Sequence, residues 1–227
     1  MPTTSHSGKM PLEATVIPVT PLRQNCSLLY CVETMKGAIV DPGGDIPLIL
    51  DSITKKQVTV EKILITHGHF DHCGGAAALS QILGCPIIGP HPDDQFWIDQ
   101  IPENAQQYGF EGESFTPDQW LKDKDEITVG EERLLVRHCP GHTPGHVVFY
   151  NAASHLAIVG DVLFRNSIGR SDFAGGDHQA LIQSITEKLW PMGRETVFIP
   201  GHGRPSTFGA ERDHNPFVAD SVLGLMP

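Results

Sequence analysis

Four short apolar segments of this 227-residue chain are each followed, at once or within a few residues, by histidine or aspartate. They are residues 62–66, 133–138, 156–159 and 196–199, and each is rich in Val, Ile or Leu. Such runs predict buried β-strands, and the glycine or proline near each polar residue predicts a turn. Because strand ends in a layered sheet meet at one edge, we expect these polar residues to lie close together at that edge.

The rest of the chain alternates between predicted strands and helices. Further strands are predicted over residues 15–20, 27–32, 38–40, 86–88 and 147–150. One helix is predicted through Leu48 and Ile53 with Asp45 as its N-cap, another from Gly74 to Leu83, and an amphipathic one over residues 177–190. Residues 91–129 are mainly polar but include several aromatic side chains, so we expect a short helix followed by an irregular loop. This alternation predicts an α/β fold.

Length and charge limit the function classes. Residues 1–11 are predicted to be a flexible tail and residues 12–227 a single domain. The net charge of −11 disfavours nucleic acid, and no apolar stretch reaches the roughly 18–20 residues of a membrane span. The five cysteines include no C-x-x-C pair, which predicts buried, reduced thiols. We therefore expect a cytoplasmic protein with a small-molecule partner, whereas the oligomeric state is not readable.

The densest cluster of candidate metal ligands is His67-Gly68-His69-Phe70-Asp71-His72, which comes directly after a predicted strand. Imidazole nitrogens and carboxylate oxygens suit zinc, iron or manganese. Three later strands lead to three more ligand-type residues, so that the candidate metal ligands are His67, His69, Asp71, His72, His142, Asp161 and His202. Seven ligands exceed the three or four protein ligands of one zinc ion, so we expect two divalent ions bridged by Asp161.

Other polar residues near these motifs receive less specific interpretations. His146 is expected to orient a ligand, and Arg170 to pair with Asp172 and brace its loop, although Arg165 or Arg170 binding a substrate carboxylate is an alternative. The aromatic residues between His91 and Trp120 either wall the mouth of the site or form a separate hydrophobic cluster. The remaining histidines are interpreted as structural or surface residues, namely His91, His138, His155, His178 and His214.

The motif H-x-H-x-D-H, with a later His142, Asp161 and His202, resembles the metallo-β-lactamase superfamily over nearly the whole chain. Within it, the chain is similar to the glyoxalase II (hydroxyacylglutathione hydrolase) group, and to its short bacterial YcbL-type members. The segments that carry this closer resemblance are Gln24-Asn25-Cys26-Ser27, Asp41-Pro42-Gly43-Gly44-Asp45, Gly169-Arg170-Ser171-Asp172-Phe173, Gly175-Gly176-Asp177-His178 and His214-Asn215-Pro216-Phe217.

The resemblance implies a four-layer αββα sandwich with the metals at the sheet edge. It implies that one ion is held by His67, His69 and His142, a second by Asp71, His72 and His202, and both by Asp161. The β-lactamases themselves have Cys or His in the role of Asp161, so the resemblance disfavours antibiotic hydrolysis. Longer glyoxalase II enzymes bind glutathione with a C-terminal helical extension, and the segment after His202 is too short for it. The identity of the thiol carrier is therefore not predicted.

The implied activity is hydrolysis of a thioester, S-lactoylglutathione or a related 2-hydroxyacyl thioester. Two divalent ions, zinc or else iron or manganese, would activate a bridging water as hydroxide, with Asp71 and Asp161 as catalytic residues. A thiol with a pKa near 8.5 leaves readily as thiolate, so no strong general acid is required.

Two alternatives remain at this stage. The first is a persulfide dioxygenase, which would use a single iron on His67, His142 and Asp161, and whose G-R-S-D-F segment is also similar. The second is a non-catalytic binding protein on the same fold. Loss of ligands is the usual mark of such proteins, and none of the seven is missing here.

Overall fold

Two β-sheets form the centre of this computed structural model, which describes residues 10–225. Most of the predicted tail, residues 1–11, therefore lies outside the described residues. The first sheet has the order β1-β2-β3-β4-β5, and its strands are Leu12–Val19, Gln24–Cys31, Lys36–Val40, Thr59–Leu64 and Ile87–Ile88. Strands β1 to β3 pair antiparallel, whereas β3, β4 and β5 pair parallel.

The second sheet has the order β13-β12-β9-β8-β7-β6. Its strands in chain order are β6 (Glu126–Val129), β7 (Glu132–His138), β8 (Val147–Asn151), β9 (Leu156–Gly160), β12 (Val197–Pro200) and β13 (Ser206–Thr207). Strands β9 and β12 pair parallel, and the other neighbours pair antiparallel. A small separate hairpin consists of β10 (Leu163–Phe164) and β11 (Ser167–Ile168).

Helices cover the outer faces of both sheets. They are α1 (Ile46–Lys56), α2 (Phe70–Cys73), α3 (Ala76–Leu83), α4 (Gln95–Asp99), α5 (Ile101–Gln107), α6 (His178–Gln183) and α7 (Phe208–His214). Helix α6 continues as a π-helical stretch, Ser184–Leu189, and a 3-10 turn, Trp190–Met192. No helix among residues 10–225 combines the length and the apolar character needed to cross a membrane.

Side-chain alternation along the strands builds the layers. In β8, Val147 and Phe149 pack into the core between the two sheets, while Val148 packs with the helices outside the second sheet. Because successive side chains of a strand point to opposite faces, a strand that is apolar throughout is buried on both faces. On the far side, Ile49 of α1 and Leu79 of α3 pack against the first sheet. The predicted four-layer αββα sandwich is confirmed.

Several local predictions need correction. Asp45 is the N-cap residue of α1 as predicted, but its carboxylate accepts a hydrogen bond from the Thr20 backbone N–H at 2.7 Å and none from the helix. The segment 91–129 contains two helices, α4 and α5, and not one. The predicted helix 177–190 loses α-helical geometry at Ser184. The prediction of buried, free thiols is confirmed for all five cysteines.

Candidate metal centre

The seven candidate ligands lie together beyond the ends of four strands. Strand β9 leads directly to Asp161, β12 to His202, β7 to His142, and β4 to the segment that starts at His67. Asp71 and His72 lie in the short helix α2, and not in a loop as the sequence suggested. Among the described residues, two groups of three potential ligands come from this set, and Asp161 lies between them.

The first group consists of three histidines whose ring nitrogens converge. His69 Nδ1 lies 3.1 Å from His67 Nε2 and 3.0 Å from His142 Nε2. Nitrogens that share one tetrahedral zinc at 2.0–2.1 Å are about 3.3 Å apart. The spacing of this group is therefore close to that of three ligands on one ion.

Hydrogen bonds leave a lone pair facing inward on two of these rings. His142 Nδ1 donates to the Arg170 carbonyl at 2.7 Å, so a neutral His142 has its lone pair on Nε2. The Thr66 hydroxyl donates to Asp41, so its oxygen accepts from His67 Nδ1 at 3.0 Å, which likewise frees His67 Nε2. The single N–H proton of a neutral His69 can be donated to His67 Nε2 or to His142 Nε2, but not fully to both. A metal ion would instead accept the lone pairs of all three nitrogens.

The second group consists of Asp71, His72 and His202. Asp71 Oδ2 lies 3.2 Å from His202 Nε2 and 3.9 Å from His72 Nε2. His72 Nδ1 lies 2.9 Å from Asp41 Oδ2 and donates to this carboxylate, so Nε2 is the ring atom directed at the other two members. A carboxylate behind a metal-binding histidine fixes its tautomer and raises its basicity.

Asp161 lies within reach of both groups. Its Oδ1 is 3.3 Å from His72 Nε2, while its Oδ2 is 3.6 Å from His142 Nε2 and 3.7 Å from His202 Nε2. Oδ2 therefore lies near nitrogens of both groups and Oδ1 near the second group, so this carboxylate is close enough to contact two ions at once.

Unpartnered buried atoms test whether these residues suit a metal. Among the described residues, His69 Nε2, His72 Nε2 and Asp161 Oδ1 are buried without a hydrogen-bond partner. A buried polar atom without a partner costs about 1–3 kcal/mol. Two of the three, on His72 and Asp161, face the space between the groups. The donor set of five imidazoles and two carboxylates, with these free lone pairs, fits divalent transition metals.

Asp41 supports the ligands and was missed as a functional residue by sequence reasoning. It follows β3 directly, and its carboxylate accepts hydrogen bonds from the Thr66 backbone N–H at 2.7 Å and hydroxyl at 2.6 Å, in addition to His72. The sequence held a signal for it, because it occupies a strand end like the ligands themselves. The motif Asp41-Pro42-Gly43-Gly44-Asp45 carries the family resemblance but does not by itself indicate this role.

Asp94 was missed as well, although it joins the two loops of the first group. Its Oδ2 accepts from the Gly68 backbone N–H and the Thr143 hydroxyl, both at 2.8 Å, and its Oδ1 accepts from the Gly145 backbone N–H at 2.6 Å. Burial raises the pKa of Asp94 to about 6, although these hydrogen bonds lower it. At neutral pH the carboxylate is therefore mostly charged and able to accept all three bonds.

Two glycines of the predicted motifs permit close approach of chain segments. A Cβ on Gly43 would lie 1.6 Å from the Asp71 carbonyl oxygen, and one on Gly201 would lie 2.0 Å from Asp161 Oδ1. Asn25 holds the Gly201 loop by donating to the carbonyls of Pro200 at 2.9 Å and Gly203 at 2.8 Å. These contacts give the glycine-rich and Gln-Asn motifs a structural role at the centre.

Comparison with known proteins identifies the family. The family model of the metallo-beta-lactamase superfamily matches residues 19–202. The chain belongs to this superfamily. It is 40% identical to hydroxyacylglutathione hydrolase GloC of Haemophilus influenzae, over 89% of this chain and 96% of that protein. The glyoxalase II resemblance inferred from the motifs is thereby confirmed.

Solved structures of the superfamily share the fold. The crystal structure of the B3 metallo-beta-lactamase BLEG-1 has a TM-score of 0.83 and 36% identity, and the match covers 91% of this chain and 99% of that one. The protein TTHA1623, solved in a di-iron-bound form, has a TM-score of 0.82 and 33% identity, with 90% and 100% covered.

The centre opens into a cavity of about 890 Å³. Five aromatic side chains contribute to its wall: Phe70, Trp97, Tyr108, Phe164 and Phe173. Trp97 and Tyr108 come from the predicted aromatic segment, whereas Phe115 and Trp120 of the same segment pack against the core of the first sheet. The first interpretation is therefore correct for Trp97 and Tyr108, whereas Phe115 and Trp120 join the core of the first sheet and not a separate cluster.

Three arginines line the same cavity, namely Arg165, Arg170 and Arg204. Arg170 forms two hydrogen bonds of 2.9 Å with Asp172 and lies 4.4 Å from the centre of the Phe173 ring, so the predicted bracing pair is confirmed. Within residues 10–225, neither Arg165 nor Arg204 has an ion-pair partner. His146, which was expected to orient a ligand, accepts from the Asp161 backbone N–H at 3.0 Å.

Burial sets the protonation states of the centre. It lowers the pKa of His67 and His146 well below the usual range, and burial together with His142 lowers the pKa of His69 to about 3. Burial acts in the same direction on His72, but Asp161 and Asp71 outweigh it and raise its pKa. Most of the histidines are therefore neutral at pH 7, as metal ligands must be.

These shifts predict that the metal-free protein loses stability in mild acid. A histidine whose pKa is depressed on folding takes up its proton first in the unfolded chain, so the free energy of unfolding falls with pH from about 6.5 toward 3. His72 is protonated in both states over this window and does not contribute. Each such histidine contributes about 2 kcal/mol between pH 6.5 and 5, so Tm is expected to fall by at least about 5 °C.

Calorimetry of chelator-treated protein at pH 6.5 and 5.0 measures this shift. The matched variant His69→Gln removes one depressed histidine and is expected to show a smaller shift. Equal Tm values for the wild-type protein at the two pH values would contradict the assigned pKa directions.

Proposed function

We propose that this protein is a metal-dependent hydrolase of thioesters, acting on S-lactoylglutathione or a related 2-hydroxyacyl thioester. The observation that carries the proposal is the position of Asp161, within 3.3–3.7 Å of nitrogens from both ligand groups. The 40% identity to a hydroxyacylglutathione hydrolase over most of both chains supports the choice of substrate.

In the proposed centre, His67, His69 and His142 hold one ion, Asp71, His72 and His202 hold the other, and Asp161 is shared. Two divalent cations lower the pKa of a shared water toward 7 and so supply hydroxide at neutral pH. We propose zinc as the metal, with iron or manganese as alternatives. Iron has specific support, because the 33% identical TTHA1623 was solved in a di-iron-bound form.

The protein itself orients the nucleophile and the substrate. Asp71 lies 3.2 Å from His202 and lines the cavity, where its carboxylate would accept a hydrogen bond from the attacking water. Burial raises the pKa of Asp161, but His72, His142 and His202 outweigh it, so this carboxylate stays ionised at every pH of interest. The departing thiolate requires no strong acid because a free thiol has a pKa near 8.5.

The cavity suits an anionic thiol carrier. Its wall is mainly apolar and aromatic, and it displays Arg165 and Arg204 without ion-pair partners among the described residues. The planar donor fork of arginine matches carboxylate geometry, and glutathione carries two carboxylates. The free cysteines support the expected reducing, cytoplasmic setting.

The deciding experiment combines elemental analysis of the purified protein with two assays. Cleavage of S-lactoylglutathione is followed in one, and oxygen uptake on glutathione persulfide in the other. We expect about two metal ions per chain, thioester cleavage and no oxygen uptake. About one iron per chain with oxygen uptake and no thioester cleavage would overturn the proposal in favour of a dioxygenase.

Metal removal is expected to abolish the activity. Chelation followed by dialysis should lower kcat/KM by at least about 10³-fold, because a metal that stabilises developing charge contributes several kcal/mol and each 1.36 kcal/mol is tenfold. Activity should return when zinc or iron is added back. Metal content after chelation should be below about 0.1 ion per chain, which is about 5% of two ions. A sample at this level that keeps full activity would contradict a metal-dependent reaction.

A second candidate, β-lactam hydrolysis, is favoured by one observation, the 36% identity to the B3 metallo-beta-lactamase BLEG-1. The carboxylate of Asp161 at the shared position argues against it. Measuring kcat/KM for a chromogenic β-lactam beside the thioester ranks the two activities. We expect the thioester to be preferred by at least about tenfold, equivalent to 1.4 kcal/mol of transition-state stabilisation.

A further inference from the structure

Two histidines that the centre does not use stack on each other behind it. His91 starts the 3-10 turn Pro92–Asp94, and His138 ends β7. Their ring centroids are 4.2 Å apart, with only 13° between the ring planes. The carboxylate of Asp93 lies beside them, and the side chains of His91 and Asp93 are 21% and 57% exposed, so solutes have access.

These side chains are close enough to share one ion when the partly exposed His91 ring turns out of the stack. One potential ligand atom from each of the three residues lies within 4.8 Å of the others. His91 Nδ1 is 3.3 Å from Asp93 Oδ2, and it also accepts a hydrogen bond from the Asp93 backbone N–H at 3.3 Å, which a bound ion would replace. The distance to Oδ2 equals the separation of about 3.3 Å between two ligands of a tetrahedral zinc.

The tautomer of His138 is set in the way that metal-binding histidines require. Its Nε2 donates to the Pro144 carbonyl at 2.7 Å, which leaves the lone pair on Nδ1. Burial lowers the pKa of His138, so the ring is neutral at pH 7 and available as a ligand.

Charges around the cluster partly cancel. Lys188 donates to the His138 carbonyl oxygen and would oppose a cation. However, Asp123 lies 3.6 Å from Lys188 and 3.3 Å from Arg137, and it also accepts from the His138 backbone N–H at 2.9 Å. The anionic carboxylate of Asp93 therefore dominates the field at the open side of the cluster.

We propose that His91, Asp93 and His138 form a peripheral site for a divalent transition metal of the zinc, nickel or copper class, separate from the seven-residue centre. The site connects to the loop that carries His142. His91 donates its backbone N–H to the Gly145 carbonyl at 3.1 Å, and His138 donates to Pro144 in the same loop. An ion bound here stabilises the contact of that loop with the segment before α4.

Zinc binding by the metal-loaded protein tests the proposal. Samples are dialysed at pH 7.5 against a series of free zinc concentrations, and bound ions per chain are counted by elemental analysis. The wild-type protein is expected to bind one more ion per chain than His91→Ala or His138→Gln. The affinity of the additional site should fall by at least about tenfold in Asp93→Asn, which alters an exposed side chain.

The matched control is His155→Ala. His155 Nδ1 lies 3.3 Å from a Glu195 carboxylate oxygen, the same spacing as in the proposed site, but it joins no group of three ligands in the described part of the chain. Its loss should leave zinc binding unchanged. Equal zinc binding by the wild-type protein and His91→Ala, or an equal loss in His155→Ala, would overturn the proposal. The ion count is independent of thioester cleavage, so failure of either proposal is seen separately.

Discussion

The variant Asp161→Asn is expected to lose about 10³-fold in kcat/KM for the thioester and one of its two metal ions. An amide oxygen can bind one ion but carries no charge with which to bridge two. Asp161 Oδ1 also lies 3.3 Å from His72 Nε2, and its other oxygen faces His142 and His202. Removing this charge forfeits several kcal/mol of stabilisation, and about 4 kcal/mol corresponds to 10³-fold.

Steady-state kinetics and elemental analysis on the same zinc-saturated samples measure this effect. Asp213→Asn is the matched control, because Asp213 is half-exposed on α7 and pairs only with Arg194. It should retain wild-type activity and two ions. An Asp161→Asn enzyme with two ions and activity within tenfold of wild type would show that this carboxylate does not bridge metals.

Much of the centre could be anticipated because strand ends and ligand types coincide in the sequence. The apolar runs before Asp161 and His202 identify β9 and β12, and a parallel pair of strands must end at the same edge. The structure brings all seven predicted residues to that edge. Their role as metal ligands stays a prediction, which the experiments on chelation and Asp161 address.

The supporting carboxylates could not be anticipated in the same way. Asp41 contacts Thr66 and His72, which are 25 and 31 residues away in the chain. Asp94 contacts Gly145, 51 residues away. The Asp41 contacts follow from the pairing of β3 with β4, and the Asp94 contact joins segments that are far apart in the chain, so no local pattern encodes either set.

The helix after Asp177 shows a second feature that the sequence pattern could not predict. Its apolar spacing predicted one continuous α-helix, and Leu181, Ile185 and Leu189 do face the core. The hydrogen-bond geometry nevertheless changes at Ser184, whose hydroxyl donates to the Pro140 carbonyl at 2.8 Å. Periodicity reports which face is buried but is insensitive to a local change from α- to π-helical geometry.

Replacing Asp94 with alanine is expected to destabilise the protein by about 3–5 kcal/mol and to weaken metal binding by the first ligand group about 10–100-fold. The change leaves the Gly68 and Gly145 N–H groups and the Thr143 hydroxyl buried without acceptors. Gly68 lies between His67 and His69, and Thr143 follows His142, so the loops of all three ligands lose their common anchor.

Denaturant unfolding of the metal-free protein measures the first effect, and competition with a chromophoric chelator measures the second. Asp94→Asn, which keeps one acceptor oxygen, should lie between alanine and wild type in both. Asp99→Asn, an exposed aspartate on α4 that bonds only to Gln95, is the control for loss of one negative charge. If Asp94→Ala lowered stability but left metal affinity unchanged, Asp94 would brace the fold without positioning the ligands. If Asp94 anchors both loops, stability and metal affinity should both fall, most in Asp94→Ala and less in Asp94→Asn.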